Sequence, residues 1–383
     1  MKNSLVRGVK MLATRKIYVF AMVIVPVAVS LMFLSLMDEG LPLRAPAAIV
    51  DLDHSSLSRR VTRNLNAGEL LDICYRFNSY DEAMASVRRG ETFGFFVIPE
   101  NFERDAVAGR APTLSLYTNM AFFVPGTLSF KGFKTVAVTT SGGVVLTTLV
   151  GAGAPENVAK DFIQPVSLQT NPIGNPWTNY NIYLSTSFLP GLLQLMIMLV
   201  TVFSISMEIK EGTSVRWLAT GGGSIIRATL GKLLPQTVIF FIIGLFVDAL
   251  LFGYNHFPMH GSWAAMSGAL LLFVVASQSF GLFIVSLVPN PRLALSLTSL
   301  IGILTFSIAA FSYPVSSMYG AIGIFSYILP VRYYFLIYIN EALNGVDLYY
   351  SRYWFAALFV FPLVAATMLW RLKKACRRPV YVP

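Results

Sequence analysis

The sequence predicts a polytopic α-helical membrane protein: six transmembrane helices plus a re-entrant outer hairpin, with an α/β extracytoplasmic domain inserted between the first two spans. Three observations carry this. An apolar run at 17–37 is followed by a polar stretch to 182, and then by five more apolar runs almost end to end. About 20 apolar residues suffice to cross the roughly 30 Å hydrocarbon core as a helix. Of the 383 residues, 55% are hydrophobic and only 13% charged, where a soluble domain carries about 25% charged residues. Finally, the basic residues gather beside alternate span ends, the pattern of cytoplasmic loops.

The net charge of +10 would suit a nucleic-acid partner, but its placement beside apolar spans excludes that reading. Residues 1–16 hold Lys2, Arg7, Lys10, Arg15 and Lys16, with Leu5, Val9, Leu12 and Ala13 at helical spacing. This predicts an amphipathic helix lying in the membrane interface. The first span, 17–37, contains Pro26, which predicts a kink. Its apolar core is longer than that of a cleaved signal, and Leu36-Met37-Asp38-Glu39 lacks small residues, so it reads as a retained span.

The polar stretch 38–182 reads as alternating strands and helices. Strands are expected at 47–51, 72–77, 93–99 and 113–118, and helices at 55–65 and 80–89, the latter capped by Ser79 or Asp81. Such alternation predicts a compact α/β or α+β domain. Residues 124–150 are small and β-branched, but Thr139-Thr140-Ser141-Gly142-Gly143 is too polar for a span. A long helix of the polar domain is expected there.

The five-span domain covers 183–372, with spans at about 183–207, 233–252, 263–288, 293–311 and 353–372. The connection after the second span carries Lys210, Arg216, Arg227 and Lys232; the next basic connection carries Arg292; the tail 373–383 carries Lys373, Lys374, Arg377 and Arg378. Six spans place all of these on the side of the N-terminus. That side is then cytoplasmic, both termini included, and the polar domain is outside. Between the last two spans, an apolar run at 314–330 is too short to cross and is bracketed by Pro314 and Pro330. It predicts a re-entrant hairpin entered from the outside.

The segment Glu208-Ile209-Lys210-Glu211-Gly212-Thr213-Ser214-Val215-Arg216-Trp217-Leu218, with Gly231-Lys232 and Pro235 opening the next span, resembles the permease subunits of ABC exporters of the ABC-2 type, in the branch with a large external domain. The resemblance implies that Glu208, Lys210, Glu211, Gly212, Thr213, Arg216, Trp217 and Leu218 form an element that docks on a cytoplasmic ATPase subunit. Physically, mixed charge offers a hydrophilic docking face, and Trp217 with Leu218 an apolar anchor of the kind that dominates interfaces. Tyr313-Pro314, Met318, Pro330, Tyr333, Tyr334 and Gly345 resemble the family's segment before the last span, which implies an outward-facing gate. Gly221-Gly222-Gly223 stands where the family often has Pro, which predicts a looser turn; Tyr319 also replaces a Pro, and the family's frequent Arg near Asn340 is absent.

The resemblance further implies a dimer with a second copy or a related permease, an inner-membrane location, and ATP with Mg held on the partner ATPase rather than on this chain. A periplasmic adaptor is a further partner for the outer domain. The sequence agrees in lacking a phosphate-binding loop: Gly231-Lys232 is followed by Leu233, and position 226, where that loop needs glycine, is Ile226. A transport subunit and not an enzyme is expected, moving a lipid-like or amphiphilic cargo, since the walls of the pathway are apolar and aromatic. A membrane-anchored sensor or scaffold, an ion-coupled carrier using Asp248, and a polysaccharide exporter are the alternatives.

Other candidates read as structural. His256 and His260 flank Pro258, which breaks the helix that a metal pair would need. Asp248 lies late in its span and is expected to be hydrated. Asp51 and Asp53 at a strand end read as caps. Cys74 and Cys376 fall on opposite sides of the membrane and are expected to be unpaired.

Overall fold

The computed structural model describes residues 2–163, 173–176, 178–311 and 313–379. Residues 164–172 and 177 of the expected polar domain, and 380–383 of the tail, lie outside the described residues. The chain forms two compact units: Met1–Asp38 with Pro172–Pro383, and Glu39–Asn171.

Helix α1 (Lys2–Thr14) buries Ser4, Gly8 and Leu12, spaced four apart. Leu5 and Val9 remain exposed beside that stripe, an apolar face available to hydrocarbon. Arg15 breaks the chain, and a helix runs from Lys16 to Leu36. It comprises α2 (Lys16–Val19), a π turn at Phe20–Ile24 and α3 (Val25–Leu36). Pro26 is met by that π turn: Val25 N–H bonds back five residues to Phe20, which accommodates the missing proline donor one residue later.

The second unit is a four-stranded sheet among the described residues, with order β2-β1-β3-β4. Strand β1 (Ala45–Asp51) is central, with Ala47, Ala48, Ile49 and Val50 buried on both faces. Helix α4 (Ser56–Ala67) follows, capped by the Ser55 side chain accepting from Ser58 N–H. Strand β2 (Leu71–Phe77) pairs parallel to β1. Helix α5 (Tyr80–Arg89) is capped by Ser79, which accepts from Glu82 N–H, and ends at Gly90 in the left-handed region, φ 75°. Strand β3 (Gly94–Ile98) also pairs parallel to β1, and β4 (Ser115–Thr118) pairs antiparallel to β3. The short helix α6 (Phe102–Val107) was not expected from the sequence.

Leu57, Val61 and Leu65 of α4 cover one sheet face. They are joined by Phe133 of α7 (Phe123–Gly151), stacked 5.3 Å from Phe96. Ala83 of α5 covers the other face with Phe95. Asp51 accepts from Asp53 N–H, His54 N–H and the Ser58 hydroxyl, and Asp53 accepts from Glu103 N–H. Both carboxylates are therefore spent on turns and caps. Helix α7 is one continuous helix whose first half carries its buried residues, and α8 (Glu156–Ile163) follows it.

The rest of the first unit is helical: α9 (Tyr180–Lys210), α10 (Ser214–Thr220), α11 (Ile225–Asp248) running on through a π turn at Ala249–Tyr254, α12 (Trp263–Leu287) and α13 (Pro291–Ile308). Then come α14 (Gly320–Ser326), α15 (Pro330–Tyr338) with a π turn at Ile339–Leu343, and α16 (Leu348–Arg377). Among the described residues, seven helices are long and apolar enough to cross a membrane: Lys16–Leu36, α7, α9, α11 with its π turn, α12, α13 and α16. The chain is thus a polytopic helical membrane protein. Several helices overrun the expected spans; α11 begins at Ile225 and α16 ends at Arg377, because their polar ends stay helical beyond the apolar stretch. Helix α12 is the most enclosed. Its Gly281 lets α9 approach so closely that a Cβ there would lie 3.1 Å from the Met198 carbonyl oxygen.

The bent helix pair before the last span differs from the expected 314–330 hairpin. Its limbs are α14 and Pro330–Leu343, bent by 78°. Pro330 opens the second limb instead of ending the motif. A proline at the first helical turn needs no N–H partner and has its φ already set, so it starts a helix here.

Candidate coupling site

The acidic residues between Asp161 and Asp248 are Glu208 and Glu211, and each holds an arginine of the N-terminal arm. Glu208, at the end of α9, is 6% exposed. It accepts from Arg7 Nη2 at 2.7 Å and from Lys232 Nζ at 2.6 Å, and the Thr213 hydroxyl donates to it as well. One carboxylate thus joins α1, α9, the start of α10 and α11. Lys232 is 2% exposed and lies 4.9 Å from the centre of the Trp217 ring. A buried ion pair repays its desolvation only when further donors complete it, and here three donors converge.

The neighbouring pair is wetter. Arg15 Nη2 meets Glu211 Oε2 at 2.6 Å, with both side chains more than a third exposed. The Arg15 hydrogen bond holds the Glu211 carboxyl below its ordinary range, and Arg15 is raised in turn. Solvent screening limits such a pair to about 0–1 kcal/mol.

Backbone geometry fixes the loop. Gly212 follows α9 at φ +67°, its N–H bonded to Ile209 O, a left-handed position that glycine adopts without strain. Gly222 and Gly223 are also left-handed, and Gly223 N–H bonds to Leu218 O at 3.1 Å. The triple-glycine turn is a defined cap and not the loose connection expected. Helix α10 is then tied down on two sides: Trp217 Nε1 donates to Ala228 O at 3.2 Å and the Ser214 hydroxyl to Cys376 O at 2.9 Å. Ser4 donates to the same Ala228 carbonyl at 3.0 Å. Where α1 crosses α11, glycine faces glycine: a Cβ on Gly8 would lie 2.7 Å from Gly231 O, and one on Gly231 2.5 Å from Ser4 Oγ.

This corrects one expectation. Trp217 is 1% exposed and Leu218 is buried, so neither can anchor a docking partner; they fasten α10 to its own protein. The turn of α10 back onto α11 encloses the indole. Lys210, Glu211, Gly212 and Arg216 are exposed, with Val215 beside them, and Thr213 is half-buried. Arg7, Arg15, Ser4 and Gly8 belong to the site but fall, in the sequence, within the segment that reads as an interfacial amphipathic helix. The scarcity of acidic residues opposite that arm was the signal that could have linked them.

The second predicted group lies at the re-entrant limb. Tyr334 is buried, stacked 4.7 Å from Phe273, and lies beside the buried Asp248. Asp248 is 6% exposed, so the hydration expected for it is overturned: α15 covers it. Tyr333 donates to Tyr327 O at 2.7 Å and closes the elbow between the limbs. Pro330 starts α15, whose next N–H, that of Val331, is received by Gln194 Oε1 of α9 at 2.7 Å. Pro314 precedes a single 3-10 turn at Val315–Ser317, and Met318 N–H closes it; both sit on the first limb's approach, apart from Tyr334. Cys74 is an exposed thiol and Cys376 a buried one, both free. Among the described residues no His, Cys, Asp and Glu group could hold a metal.

No curated protein matches the chain. It does match the family described as ABC-2 family transporter protein over residues 16–371, from the first span to the last turns of α16. With its multi-pass helical architecture, the chain belongs to the ABC-2 transporter family, as the membrane permease component of an ABC transporter.

Proposed function

We propose that this chain is the permease half of an ATP-driven exporter that moves a lipid-like or amphiphilic compound. Members of the family normally work with an ATPase partner. Here that partner docks on the exposed face of α10 and its flanks, chiefly Lys210, Gly212, Val215 and Arg216. A second copy or a related permease completes the pathway.

The carrying observation is the Glu208 centre. A push on α10 cannot remain local, because α10 is bonded to α11 through Trp217, to α16 through Ser214, and to α1 through Glu208. Closure of the ATPases around ATP therefore tilts several spans together. The ATPase supplies hydrolysis; this chain's residues transmit the displacement. At the far end of the helices, α15 is held by Gln194, a bond that must loosen for an outward opening.

Six spans is the topology we favour. The N-terminal arm, the loop after α9 and the end of α16 meet at one place, which an even number of spans between the chain ends requires. Helix α7 packs its first half on the sheet of the Glu39–Asn171 unit, which supports its membership of an outer domain. Both termini and the basic loops then face the cytoplasm. Reconstitution of the chain with its ATPase in vesicles tests the proposal: ATP-dependent movement of an amphiphile supports it, and failure of any ATPase to copurify refutes it.

A further inference from the structure

Helices α11, α12 and α16 enclose a crevice of about 590 Å³ that plays no part in the coupling site. Its walls include Ile226, Leu233 and Thr237 of α11, Leu272 of α12, and Phe359 and Ala366 of α16. We propose that it holds an acyl chain of an anionic phospholipid drawn from the bilayer, with the headgroup at the end where α11 begins.

Length is the first argument. The α11 wall runs from Ile226 to Thr237, eleven residue steps apart, or about 16 Å at 1.5 Å per step. That is about half of the roughly 30 Å hydrocarbon core, the depth of one leaflet. A chain entering beside Ile226 would end near the middle of the membrane.

Charge is the second. Arg227 lies seven residues before Leu234, and Lys373 lies seven after Ala366 and four after Leu369; the three latter residues line the crevice. These spacings put both cations on the lining faces of their helices, at the same end. No Asp or Glu occurs in α11 before Asp248, in α12 or in α16. The rim of the entrance is thus positive, and the acids of the preceding loop, Glu208 and Glu211, are already held by Arg7, Lys232 and Arg15, which favours a phosphate headgroup of net negative charge over a zwitterion. One turn inside, the Thr229 hydroxyl is buried and has no hydrogen-bond partner, although it belongs to the same wall. Buried hydroxyls normally have partners, and a lipid ester or phosphate oxygen would supply one. Deeper in, Thr237 and Gln278 satisfy each other at 2.7 Å and leave the rest of the wall apolar.

That this end faces the cytoplasm rests on the orientation proposed above; the site itself does not. The test uses the purified full chain in mild detergent with equal amounts of phosphatidylglycerol and phosphatidylcholine of the same chains, read by native mass spectrometry. One phosphatidylglycerol should stay bound in at least tenfold preference. Each basic residue near such a headgroup contributes about fivefold, so Arg227→Gln with Lys373→Gln should erase that preference. Ala366→Phe fills an exposed lining position and should release the lipid, with the thermal midpoint unchanged. Equal retention of the two lipids, retention in Ala366→Phe, or displacement by a single-chain amphiphile at equal concentration would overturn the proposal. The measurement needs neither ATPase nor membrane orientation, so its failure leaves the exporter reading standing, and the converse also holds.

Discussion

Glu208→Gln should open the coupling site while leaving the rest of the fold in place. The substitution keeps the shape of the side chain and removes its charge. Lys232, 2% exposed, then loses its counter-charge inside the protein, and Arg7 loses its partner. Removing one member of a buried pair costs about 3–5 kcal/mol. Glu211→Gln removes an exposed partner and should cost about 0–1 kcal/mol. Cys376 reads the difference: its thiol is buried and its carbonyl accepts from Ser214, so it becomes reactive only when α10 lifts. In a Cys74→Ser background, with labelling slower than reclosing, the labelling rate follows the open fraction. At 1.36 kcal/mol per decade, Glu208→Gln should speed labelling by roughly two to three and a half decades, and Glu211→Gln by less than about one. Adding Lys232→Met to Glu208→Gln should recover most of the loss, because an apolar replacement of a buried pair is often neutral. Equal labelling in the two single variants would refute the assignment of Glu208 as the centre.

Gly8→Val places a Cβ 2.7 Å from Gly231 O; such overpacking costs about 1–3 kcal/mol, and trypsin should cut at Arg7 correspondingly faster than in the parent. Gln194→Leu strands the buried Val331 N–H, at about 1–3 kcal/mol, and hydrogen exchange at that amide should rise by about 5- to 150-fold. Asp248→Asn removes the ionisable group while keeping the size of the side chain, so export should persist; its loss would favour an ion-coupled carrier. The depressed Glu211 carboxyl contributes stability that is present above the ordinary carboxylate range and lost as pH falls through its own lower range. Protection factors in α1 should therefore be flat around neutral pH and fall only in acid, with added salt weakening even that small effect.

Local signals in the sequence located most elements. Ser79 or Asp81 marked the start of α5, of which Ser79 is the cap, and the apolar runs marked the long helices. What escaped were features made by residues distant in the chain. Trp217 in a charged loop reads as a surface anchor; its burial depends on Ala228 and Lys232, reached only after the glycine turn folds α10 back. Arg7 and Arg15 lie about two hundred residues from their carboxylates, and local spacing cannot pair them. Asp248 looks hydrated until α15 covers it, and Pro330 can end a helix or begin one until the chain after it is placed.

The central claim, that α10 carries the load from an ATPase, is tested most directly by Arg216→Glu in vesicles containing the chain and its ATPase. Arg216 is exposed and belongs to none of the ties that hold α10 in place, so folding should be unaffected. The account predicts that cargo-stimulated ATP hydrolysis falls by more than tenfold while Cys376 stays protected. Unchanged stimulation with Cys376 still protected would contradict it.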